Sequence, residues 1–122
     1  MKIRIKGNSL RYRLTRSEVE QFGREGYLED VTDFGTTQLI YALKTTASEE
    51  LWANFESNKI TMFMPVAMRT EWLATDRVGF ENRTPNFYLL VEKDFQCLDN
   101  VDEDQSDNFP NPLANQLIVN KQ

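Results

Sequence analysis

The strongest constraint on this chain is a set of short alternating segments closed by tight turns. Lys2-Ile3-Arg4-Ile5-Lys6 and Ser9-Leu10-Arg11-Tyr12-Arg13 alternate apolar and polar residues, and Gly7-Asn8 between them suits a two-residue type II′ or I′ turn. This register sets Arg4 opposite Arg11 and Lys2 opposite Arg13, with Ile3, Ile5, Leu10 and Tyr12 facing a core. A second hairpin covers 50–65 and turns at Ser57-Asn58, so that Glu56 faces Lys59. It gathers Leu51, Ala53, Phe55, Ile60, Met62 and Met64 on one face. Trp52 and Phe63 oppose each other on the second face, either as an exposed interface pair or as a second core under a helix; the core reading is the expectation.

Helix signals are local. Thr15-Arg16-Ser17-Glu18 forms a capping box for a helix over 16–25, with Val19 and Phe22 on one face and Gly26 as the stop. Pro65 suits the first turn of a second helix running to Thr75, with Val66, Arg69, Trp72 and Leu73 along one side. Strands are expected at 27–33, 38–45, 77–81 and 87–95. The last carries apolar residues on both faces, as an interior strand does. About seven strands and two short helices joined by tight turns predict an α+β fold with a mostly antiparallel, barrel-like sheet. No internal repeat is visible in the sequence. At 122 residues the chain reads as one α+β domain over 1–98, followed by an acidic, Pro-containing tail over 99–122.

Composition excludes whole classes of chemistry. There is no histidine and one cysteine, Cys97, which rules out a zinc site, an intrachain disulfide and Ser–His or Cys–His catalysis within one chain. None of the five glycines sits in a phosphate-binding or nucleophile-elbow motif. No apolar run approaches the roughly 20 residues that span a bilayer, and the charged N-terminus lacks a signal-peptide core, so a cytoplasmic protein with no membrane contact is expected.

Charge is polarised within a net of −5. Residues 1–16 hold six bases and no acid, whereas 99–108 hold five acids and no base. The basic hairpin face, Arg4, Arg11 and Arg13, is the anion-binding candidate. Its repulsion has to be relieved by acids from a neighbouring strand, by the acidic tail, or by an outside anion. Net negative charge disfavours nucleic acid as that anion. Glu92, Asp94 and Cys97 form the catalytic candidate set: a carboxylate base and a thiol at the end of the most apolar strand. Asp102, Asp104 and Asp107 are the metal candidates. Asp102, Asp104 and Ser106 have calcium-loop spacing, but Asp107 stands where that loop needs glycine and Leu113 where it needs glutamate. No cofactor and no metal are expected.

Taken together, Lys2–Arg11, Arg13-Leu14-Thr15, Glu92–Leu98, Asp102–Asp107 and Phe109-Pro110-Asn111-Pro112 resemble an uncharacterised family of short bacterial proteins classed as a domain of unknown function. The resemblance implies a bacterial, cytoplasmic protein and carries no activity, cofactor or catalytic residue. Two functions stand open. One is a non-enzymatic interaction module that meets a protein partner through its basic face and acidic tail. The other is a small enzyme or sensor for a phosphate- or carboxylate-bearing metabolite, using Arg4, Arg11 and Arg13 with Glu92 or Asp94.

Overall fold

The computed structural model of the chain describes residues 1–95 and 106–111. The elements are β1 (Lys2–Lys6), β2 (Ser9–Leu14), α1 (Arg16–Glu25), β3 (Tyr27–Asp33), β4 (Gln38–Thr46), β5 (Trp52–Glu56), β6 (Lys59–Pro65), α2 (Val66–Ala74), β7 (Gly79–Arg83) and β8 (Tyr88–Lys93). Both turns behave as their residues dictate. Gly7 alone takes a positive φ in the first, whereas Ser57 and Asn58 both do so in the second, as a type I′ turn requires. The capping box at Thr15 and Glu18 is formed, and Gly26 ends α1 in the left-handed conformation. β7 starts at Gly79, two residues later than the sequence suggests. The Val78 carbonyl is already occupied, accepting from Trp72 Nε1 at 3.0 Å and from the Lys93 N–H at 2.8 Å.

Among the described residues the strands form two four-stranded mixed sheets, β1-β2-β8-β7 and β3-β4-β6-β5, and no closed barrel. The class α+β holds, but the barrel expectation is corrected. Every hairpin is antiparallel, and the two central pairs, β2 with β8 and β4 with β6, are parallel. Strands so far apart in sequence leave no local signal of their pairing.

The two halves of the chain repeat one backbone plan, ββαββ. Lys2 pairs with Arg13 in the first hairpin, and Trp52 pairs with Phe63 in its counterpart, each fifty residues on. The contacts between units repeat as well. The Tyr88 N–H donates to the Asn8 carbonyl at 3.1 Å, and the Ile40 N–H donates to the Asn58 carbonyl at 3.0 Å. Each unit gives its first hairpin to one sheet and its second to the other, so the units interlock about a pseudo-two-fold axis. The repeat escapes the sequence because only the inward-facing positions share apolar character, and seldom identity: Leu10 answers to Ile60, Tyr12 to Met62, Phe22 to Trp72. Outward positions diverge, Lys2 answering to Trp52 and Arg13 to Phe63.

The core lies between the sheets, built from Leu10, Tyr12, Tyr41, Leu43, Met62, Leu89 and Val91. The Tyr12 and Tyr41 rings meet edge to face at 6.4 Å, and the Tyr12 hydroxyl donates to the Ile60 carbonyl at 3.2 Å. Burial raises the Tyr12 phenol above its ordinary pKa, so it stays un-ionised. One end of the sandwich is plugged by the helices, whose fully buried Phe22 and Trp72 cross edge to face at 6.4 Å. Trp52 and Phe63 stack at 3.9 Å on the outer face of their sheet, with Trp52 43% exposed. The expected second core is therefore absent, because the helices close an end of the sandwich and leave that face to solvent.

Candidate functional site

The outer face of β1-β2-β8-β7 carries the basic residues in the predicted register, Lys2 against Arg13 and Arg4 against Arg11. Two acids at the end of the neighbouring β8 answer part of this charge. Arg13 Nε donates to Glu92 Oε1 at 2.7 Å, and Arg11 Nε lies 3.8 Å from the same oxygen. Lys2 Nζ is 2.9 Å from the buried Asp94 carboxylate. Such pairs are worth about 0–1 kcal/mol each where exposed, enough to relieve the repulsion between facing bases. Glu92 and Asp94, both catalytic candidates, are thus engaged by cations on the same face.

Beyond the acids the face changes character. Arg4, Lys6 and Arg11 line a groove of about 280 Å³ with Ser9, Tyr88 and Leu90, and no carboxylate lines it. Among the described residues Arg4 and Lys6 have no ion-pair partner. The Tyr88 hydroxyl donates a hydrogen bond to Glu81, which stands outside the groove lining. Of the three arginines the sequence singles out, Arg4 and Arg11 meet in the groove and Arg13 is turned to Glu92. Lys6 is an additional groove residue, placed there because it shares the outward face with Arg4.

Asp107 lies elsewhere, at the start of α1. Its carbonyl accepts from the Arg16 N–H at 3.0 Å, and its carboxylate accepts from the Ser17 hydroxyl at 2.5 Å and the Ser17 N–H at 3.3 Å. The Ser17 hydroxyl first, then Thr15, hold this carboxyl below its ordinary pKa. Next to it Asn108 is buried, and Phe109 packs on Phe95 with ring centroids 5.7 Å apart. Cys97, Asp102 and Asp104 lie outside the described residues. Among the described residues no three acids or cysteines gather as a metal cluster, and no helix is long and apolar enough to cross a membrane.

A larger concavity than the groove escaped the sequence reading. It is an apolar cleft of about 420 Å³ at the end of the sandwich opposite the helices. Ile5 and Phe55, Leu10 and Ile60, and Leu39 and Phe87 line it, and the first two pairs occupy matching positions of the two units. Ile5, assigned to the core by its alternation, is 61% exposed at the mouth, and Phe55 is 65% exposed. The one available signal is positional: each stands two residues before its tight turn, at the end of an inward-facing row.

The fold and its concavities define a two-layer α+β domain of interlocked ββαββ units, with a cationic groove beside an apolar cleft. The chain belongs to a family of unknown function, DUF7009, whose model matches residues 1–113. No curated protein and no solved structure matches it.

Proposed function

We propose that this protein is a small non-enzymatic binding module that holds an anionic group, phosphate- or carboxylate-bearing, on its basic hairpin face. One observation carries the reading: Arg4, Lys6 and Arg11 share a groove with no carboxylate in its lining. Three donors of positive charge around a small concavity suit a charge-assisted contact to an anion. A binding role is favoured over catalysis because the acids a reaction would recruit are engaged, Glu92 by Arg13 and Asp94 by Lys2. A bacterial cytoplasm is the setting this reading takes, since a lone cysteine stays reduced there.

Inorganic phosphate is the first probe. Titrated at constant ionic strength against chloride, it should shift the backbone amide resonances of residues 4–11, and the paired substitution Arg4→Gln with Lys6→Gln should abolish the shift. Glu92→Gln should strengthen binding, because it releases Arg11 and Arg13. Equal responses to phosphate and chloride would overturn the reading.

A further inference from the structure

We infer that the ligand of this face is an amphipathic anion, whose apolar chain lies in the axial cleft and whose charged end reaches Arg4 and Lys6. The inference rests on the anion-binding reading above and deepens it. At about 420 Å³ the cleft falls within the ~300–1,000 Å³ range of small-molecule sites, and apolar side chains dominate its lining. Ile5 and Phe55 continue rows that pack on the core further along the sandwich, Ile3 in one and Ala53 and the buried Leu51 in the other, yet at the mouth they are mostly in water. Phe22 and Trp72 close the helical end of the sandwich, and no described residue does the same here. An apolar chain seated between Ile5 and Phe55 would complete the row.

Cleft and groove adjoin. Ser9 and Leu10 line both, so the two concavities are the two sides of one edge hairpin. Ile5 faces the cleft, while its neighbours Arg4 and Lys6 face the groove. A molecule leaving the cleft past the β1–β2 turn therefore meets cations within one residue of Ile5.

Charge then selects an orientation. Two apolar pairs of the lining match between the units, Ile5 with Phe55 and Leu10 with Ile60, but the charged rims do not: Arg4, Lys6 and Arg11 correspond to Asn54, Glu56 and Thr61. The matched apolar pairs accept a chain in either direction, and the charged rims set which one is taken. An anionic end is drawn more strongly to the β1 rim, where three cations face no lining carboxylate, than to the other, where Glu56 stands among Lys44 and Lys59. A neutral chain would have no preferred direction.

The test uses the full chain with decanoate, decanol and inorganic phosphate as probes, each below its aggregation limit, followed by calorimetry. Decanoate should bind about tenfold tighter than decanol. Arg4→Gln with Lys6→Gln should erase that difference and leave decanol unchanged. Phe55→Ser, at an exposed position and checked by its melting temperature, should weaken both chain-bearing probes and leave phosphate unchanged. Phosphate binding with no decanoate binding, or decanoate binding unaffected by Phe55→Ser, overturns the inference while the anion-binding reading stands. Decanoate and decanol binding equally overturns it too, as would self-association through the cleft that Phe55→Ser dissolves. Loss of phosphate binding with the decanoate pattern intact would sink only the free-anion reading.

Discussion

Asp107 shows how one residue changes meaning between sequence and structure. In sequence it belongs to an acidic run with calcium-like spacing; in the fold its carboxylate serves the first turn of α1, where Ser17 supplies both a hydroxyl and a backbone N–H. Its folded-state pKa is depressed, so the stability it contributes is present above the ordinary value of 3.8 and is lost as pH falls through the folded value. Asp107→Asn should therefore lower the melting temperature at pH 7, and the two melting curves should converge at the acid end of the titration. A constant gap down to the lowest pH would show that the backbone contact of Asp107, and not its charge, is what matters. Gly79 makes a sharper demand. A Cβ there would stand 2.1 Å from the Val91 carbonyl oxygen and 2.8 Å from Glu92 Cα, both backbone atoms of the partner strand. Backbone cannot turn aside as a side chain can. Gly79→Ala should cost at least about 1–3 kcal/mol by chemical denaturation, the range of an overpacked core.

At the scale of elements, the readings that succeeded rest on bonds closed within a few residues. The α1 cap is written in four consecutive residues, and both halves of its box form: the Glu18 N–H donates to Thr15 Oγ1 at 3.4 Å, and the Thr15 N–H donates to Glu18 Oε1 at 2.9 Å. Thr15→Ala removes the side-chain half and should cost about 1 kcal/mol, measured in urea, whereas Thr15→Ser should cost a small fraction of that. The hairpin registers were equally legible, since two-residue turns leave only one pairing. Glu56 and Lys59 were rightly set opposite each other, yet Lys59 gives its ammonium to the Tyr27 hydroxyl and lies over that ring at 4.9 Å from its centroid. Tyr27 comes from another hairpin, so the cross-strand rule could not foresee it. The Trp52–Phe63 pair was misplaced for a related reason. Pairing across a hairpin is local, but what covers a sheet face depends on where the helices dock.

For the whole molecule, the interlocked units make one prediction that separates this fold from two linked lobes. β2 finds its parallel partner in β8 and β4 finds its own in β6, so neither half contains a complete sheet. Separate fragments covering 1–48 and 49–122 should each lack a cooperative thermal transition by far-UV circular dichroism, and mixing them should restore a single one. A fragment that melts cooperatively alone would mean that ββαββ is a self-sufficient unit. By itself the sequence determined what neighbours along the chain can settle: the turns, the α1 cap, the alternation that sends Leu10 and Tyr12 inward and Arg4 and Arg11 outward, and the absence of histidine chemistry. Tertiary structure decided the parallel pairings, the pseudo-two-fold axis, the separation of Arg13 from the groove that keeps Arg4 and Arg11, and the cleft where Ile5 meets Phe55. These join residues tens of positions apart, through hydrogen bonds and apolar contacts whose partners are chosen only when the sheets assemble. Residues brought together in that way carry no mark of each other in the chain.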